Sequence, residues 1–156
     1  PIGPLHQLRE RTNVGLPEPE HAQHDNGKPT VEEWAAYTTL TLYALHQRSL
    51  HTDPMHKPGT GFGTAVGMLA SGNPNEAGIY RRLSSLLTAD DTTEIVHHAR
   101  GLIQLLHAKR LPFDYASFAE DLVDLNNPYR RDRVRLQWGR DYFGALRKQS
   151  SPDTDD

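Results

Sequence analysis

The segment TTEIVHHARGLIQLLHAKR, residues 92–110, restricts the fold more than any other. Ile95, Val96, Ala99, Leu102, Ile103 and Leu106 recur at i, i+1, i+4, i+7, i+8 and i+11. That spacing is one face of a helix, and the face is too apolar to be left in water. The helix therefore needs neighbours whose own apolar stripes cover it.

Several segments supply such stripes. Thr30 followed by Glu33 reads as a capping box, and Trp34, Tyr37, Thr38, Thr41, Leu42 and Leu45 then predict a helix over 31–50. Two prolines and two glycines in HTDPMHKPGTG break it. GFGTAVGMLASG predicts a short helix over 62–70, whose glycines suit close approach to a neighbour. NPNEAGIYRRLSSLLTADD presents Ile79, Leu83, Leu86 and Leu87 on one side and Arg81 and Arg82 away from them. Pro112 is expected to end the 92–110 helix. FDYASFAEDLVDLNNP supplies Phe118, Leu122 and Leu125, with Asp114 as N-cap. A last helix spans 129–148. Residues 1–29 are rich in Pro, Gly and His and read as irregular, with one helical turn around Leu5–Arg11. No segment has the period of a strand.

The expected fold is all-α: a bundle of about five to seven helices, as one core or as two small helical lobes. Residues 1–148 form a single helical domain in this reading, and 149–156 an acidic, disordered tail. The chain has no cysteine, which excludes disulfides and thiolate zinc sites and is compatible with a reducing, cytoplasmic setting. No apolar run is long enough to span a membrane, and no signal peptide is visible.

The last helix holds the least ordinary chemistry. The whole chain carries a net charge of -3, yet residues 130–148 hold seven basic residues against two acids. On a helical wheel Val134, Trp138, Tyr142, Ala145 and Leu146 form the apolar face, widened by Leu136 and Phe143. Arg133, Arg140 and Arg147 are seven apart and form one stripe, flanked by Arg130 and Lys148; Arg131 and Arg135 complete the basic set. Six of the seven cations are arginine, whose planar fork suits phosphate oxygens. Arg81, Arg82 and Arg100, on the two preceding long helices, are candidates to join the same groove. Lys109 and Arg110 read instead as favourable charges at a helix C-terminus. Trp138 and Tyr142 belong to the core in this reading.

Metal and catalytic readings are weak. His97 and His98 diverge by 100° on a helix, and His21 and His24 lack a third ligand. GTGFGTAVG lacks the Lys-Ser/Thr ending of a phosphate loop. Asp90–Asp91 read as helix-start carboxylates, and Glu120–Asp121 as solvent-facing ones. No metal, cofactor or enzymatic activity is expected.

Four stretches together resemble the CasB family, the small subunit of the type I-E CRISPR Cascade complex. They are LYALHQ (42–47), GFGTAVGML (61–69), NEAGIYRRLSSLLTADDTTEIVHHARGLIQLL (75–106) and VRLQWGRDYF (134–143), running in the family's order. No single motif is specific; the ordered combination carries the likeness. The resemblance implies a non-catalytic, all-helical subunit. It implies as partners other Cascade subunits, a second copy of the chain, the guide RNA and the opened target DNA, held without regard to sequence. It places basic contacts at Arg81, Arg82, Arg100 and the Arg130–Arg133 cluster; Arg140 and Arg147 are added by the wheel alone. The family's Arg-rich loop near the N-terminus has only a loose echo in LHQLRERT, so its residues are not assigned. The alternative is a helical adaptor for an acidic protein partner, with the GFGTAVG helix as its docking face.

Overall fold

The computed structural model describes residues 27–150, with side chains from 27 to 148. The chain divides into two units, Pro1–Thr30 and Val31–Asp156. The expected turn at Leu5–Arg11 and the residues after Ser150 lie outside the described residues. The described residues of the second unit form six helices: α1 (Val31–Gln47), α2 (Phe62–Ala70), α3 (Glu76–Thr88), α4 (Thr92–Lys109), α5 (Tyr115–Leu125) and α6 (Arg131–Ser150). Among the described residues no strand forms, and one isolated bridge joins His56 to Phe113. The all-α expectation holds.

Local chemistry explains most boundaries. Asp91 caps α4 by accepting from the Glu94 N–H at 2.9 Å. Asp114 caps α5, accepting from the Ala116 and Ser117 N–H groups, and also reaches back to the Gly59 N–H at 3.1 Å. Those donors, Gly59 foremost, hold its carboxyl below the usual carboxylate range. The 92–110 helix does not wait for Pro112. Arg110 ends it in a left-handed conformation (φ 55°), its N–H bonded to the last carbonyls. Helix α1 stops at Gln47, three residues before the expected end. There the Gln47 amide donates to the Leu50 and Asp53 carbonyls and accepts from the Met55 N–H, tying the following loop together.

The buried stripe of α1 differs from the expected one. Ala35, Thr38, Leu42 and His46 face the core, whereas Tyr37 is 74% exposed and Thr41 is also outside. The reason is the close packing of α1 on α4 and α5, which favours the slim Ala35 and Thr38. His46 is fully buried between two partners: its Nε2–H donates to the Leu111 carbonyl, and its Nδ1 accepts from the Tyr115 hydroxyl, each at 2.8 Å.

Helix α6 lies against α2 and α5, and α4 lies against α1, α2 and α3. A Cβ on Gly63 or Gly67 would collide with the Trp138 or Tyr142 carbonyl, so α2 meets α6 backbone to backbone. The GFGTAVG helix is therefore an interior element, with Phe62, Gly63, Ala65, Val66 and Gly67 all buried; it is no docking face. Trp138 enters the core between Phe62 (centroids 4.8 Å apart) and Phe118, on which it stacks at 8°. Its indole N–H donates to Asp121 at 3.0 Å. Asp121 is thus partly buried rather than solvent-facing, and burial pushes its carboxyl up against the opposing pull of that bond.

Helices α3 and α6 run side by side in opposite directions with a groove between them. Tyr80 lies beside Tyr142 and Phe143, Leu87 beside Gly139, and Arg135 donates to the Ala89 carbonyl at 2.9 Å.

Candidate nucleic-acid interface

Helix α4 buries Ile95, Ala99, Leu102, Ile103 and Leu106, so the periodicity that hides them turns His97, Arg100, Gly101 and Gln104 outward. These four meet Arg82 of α3 and His98 in one cleft of about 310 Å³. Among the described residues no carboxylate lines it. Gly101 makes the closure of this cleft: a Cβ there would stand 3.1 Å from the Arg82 Nη1. A larger side chain would push the Arg82 guanidinium off α4. Arg82 and Arg100 are both exposed, as is Arg81 on the neighbouring position of α3.

The first turn of α6 holds a second group. Arg130 and Arg133 both reach Asp124 at the end of α5, Arg130 at 3.5 Å. One carboxylate facing two guanidiniums leaves a positive remainder, and both arginines stay largely exposed. Arg131 lies half-buried, with its Nε shielded and without a partner. Cations at a helix N-terminus oppose its dipole, each at a cost of roughly 0.3–1 kcal/mol. Helix stability alone does not account for arginines at 130, 131 and 133.

The remaining basic residues separate. Arg135, outside the expected stripe, is a fastener: besides the Ala89 carbonyl it contacts Asp90 at 3.4 Å and Asp132 at 3.5 Å. Arg140 lies with Lys148, Thr64 and Met68 over the α2–α6 seam, beside Asp141. Arg147 is exposed two turns further on. The structure thus brings Arg82 to Arg100 and Arg130 to Arg133, while Arg140 takes α2 as its neighbour. Arg110, read from the sequence as a charge at a helix C-terminus, also pairs with Asp53 at 3.4 Å.

The sequence reading missed two things. His97, His98 and Gln104 line the Arg82–Arg100 cleft, a placement legible in the polar i, i+3, i+4, i+7 series 97, 100, 101, 104. Leu136 and Phe143, expected to widen the apolar face of α6, are 54% and 45% exposed. Among the described residues no group of three His, Asp or Glu could hold a metal ion, and no helix is long and apolar enough to cross a membrane.

A family model described as CRISPR-associated protein Cse2 matches residues 5–143, most of the chain. The chain belongs to the Cse2 family. The Cse2 match takes in all four stretches that carry the CasB likeness. The solved structure of CasB from Thermobifida fusca superposes with a TM-score of 0.68 and 29% sequence identity, covering 86% of this chain and 72% of that one. Fold and family model thus bear out the resemblance to CasB, the small subunit of type I-E Cascade. Comparison with curated proteins gives no match.

Proposed function

We propose that this Cse2-family chain is a non-catalytic Cascade subunit that grips the phosphate backbone of nucleic acid and stabilises the R-loop formed by guide RNA and target DNA. One observation carries the reading: Arg82 and Arg100, from different helices, share a cleft that, among the described residues, no acid lines. Guide RNA reads sequence by pairing, so a helper subunit needs only charge and shape. Exchanging a DNA duplex for a heteroduplex and a loose strand is nearly balanced, so modest backbone contacts tip it. Arginines supply them by displacing counterions condensed on the phosphates. The Arg130–Arg133 group, Arg140 and Arg147 extend the contact along α6. Other Cascade subunits and a second copy of the chain supply the alignment that one small basic surface lacks.

The test is the double charge reversal Arg82→Glu with Arg100→Glu. For about four phosphates on a single strand, log K falls with log salt at a slope of roughly -3. The double variant is expected to flatten that slope, weaken oligonucleotide binding and shorten R-loop lifetime in assembled Cascade, with its thermal melt unchanged. Undiminished R-loop retention in a folded variant overturns the reading.

A further inference from the structure

The groove between α3 and α6 holds two rings that the core does not need. Tyr80 and Phe143 are 47% and 45% exposed, with centroids 6.0 Å apart. They stand over the buried Tyr142 in a hollow of about 670 Å³, together with Asn73, Glu76 and Leu146. Unlike the isolated exposed ring of Tyr129, these two adjoin each other and form a contiguous apolar patch, the kind of surface that marks an interaction site.

The charges around them indicate its chemistry. Arg140 and Arg147 lie one turn before and one turn after Phe143 on α6, within the usual reach of i±3 and i±4 neighbours. Both arginines are exposed. Glu76 is the one acid among the residues lining the hollow, and lies on the first turn of α3, a turn away from Tyr80. A second copy docked isologously through this face would set one arginine-rich helix against another, which like charge disfavours. A single nucleic-acid strand satisfies both features at once: phosphates meet guanidiniums, and unpaired bases stack on rings.

We infer that the Tyr80–Phe143 groove takes unpaired bases of a single strand whose phosphates lie on Arg140 and Arg147. This rests on the nucleic-acid reading above and adds to it a base-stacking site separate from the Arg82–Arg100 cleft. Because every base has a flat face, the site is indifferent to sequence.

The experiment compares two strands of about 12 nucleotides, a length within the range of single-strand binding sites: oligo-dT, and an abasic strand with the same phosphates. Binding is read by fluorescence anisotropy at low salt. The wild-type chain is expected to prefer oligo-dT. Phe143→Ala and Tyr80→Ala should each lower oligo-dT affinity about tenfold and leave abasic binding unchanged, while Phe143→Trp keeps the preference. Arg82→Glu should lower both strands alike. If the alanine variants bind both strands as wild type does, or lose both equally while still folded, the stacking site is overturned and the backbone reading stands. If the wild-type chain binds neither strand, inside Cascade or out, both fall.

Discussion

The Arg82 guanidinium lies across Gly101, 3.1 Å from where a Cβ would stand. A glycine inside α4 therefore serves the surface rather than the core. Gly101→Ala should raise helix stability by up to about 1 kcal/mol, since the flexible end of Arg82 can yield a few tenths of an ångström. Gly101→Glu should place a carboxylate in the cleft and pair with the arginines. Thermal melting and oligonucleotide binding measured together distinguish these: a higher melting point with nearly intact binding for Ala, and clearly weakened binding for Glu. Unchanged binding in Gly101→Glu would mean that the cleft touches no phosphate.

Asp124 restrains two of the arginines assigned to nucleic acid. Asp124→Asn removes the shared charge from Arg130 and Arg133. Single-strand affinity at low salt should rise, and the salt slope should steepen by about 0.7 for each added phosphate. A salt titration that superposes on the wild type's would remove Arg130 and Arg133 from the interface.

The α2–α6 contact sets the position of the whole basic helix. Gly67→Ala forces a methyl against the Tyr142 carbonyl and the Ala145 Cβ. The expected loss is about 1–3 kcal/mol, seen as a lower urea midpoint at unchanged m. Gly144→Ala, on α6 itself but with open space where its Cβ would go, should instead gain up to about 1 kcal/mol. Equal effects from the two would contradict the backbone-to-backbone contact.

His46 makes stability depend on pH. Burial, with a smaller push from His107, lowers its pKa from 6.5 to about 4. The unfolded chain then binds a proton that the folded chain refuses. Stability is full above about pH 6.5 and falls as pH drops towards 4, by about 3 kcal/mol from this group. Below about pH 4 the folded form protonates too, and this contribution levels off. His46→Gln should lose stability at neutral pH but show a shallower fall between those limits, measured by urea midpoints along a pH series. An equal fall in both proteins would assign the acid sensitivity elsewhere.

Much of the local structure was legible in the residues. The stripe from Ile95 to Leu106, the Asp91 and Asp114 caps, and the glycine pair of α2 depend on neighbours within one or two turns, and periodicity reports those directly. Trp138 and Tyr142 read as core for the same reason. Tyr37 read as part of the buried stripe of α1 and lies outside it, because which side of α1 turns inward depends on the space that α4 and α5 leave, and that space suits Ala35 and Thr38 rather than a phenol ring.

The amino-acid order alone determined an all-α chain of about five to seven helices, the Asp91 and Asp114 helix starts and an arginine excess in the last helix, since each follows from spacing along a single helix. Only the tertiary structure decided which guanidiniums meet. Arg82 joins Arg100 because α3 packs on α4, Arg130 and Arg133 share Asp124 because α5 ends beneath α6, and Phe143 stays in water because α3 and α6 stand apart. Convergence of side chains from separate helices depends on packing distances between them, and no periodicity within one helix encodes those distances.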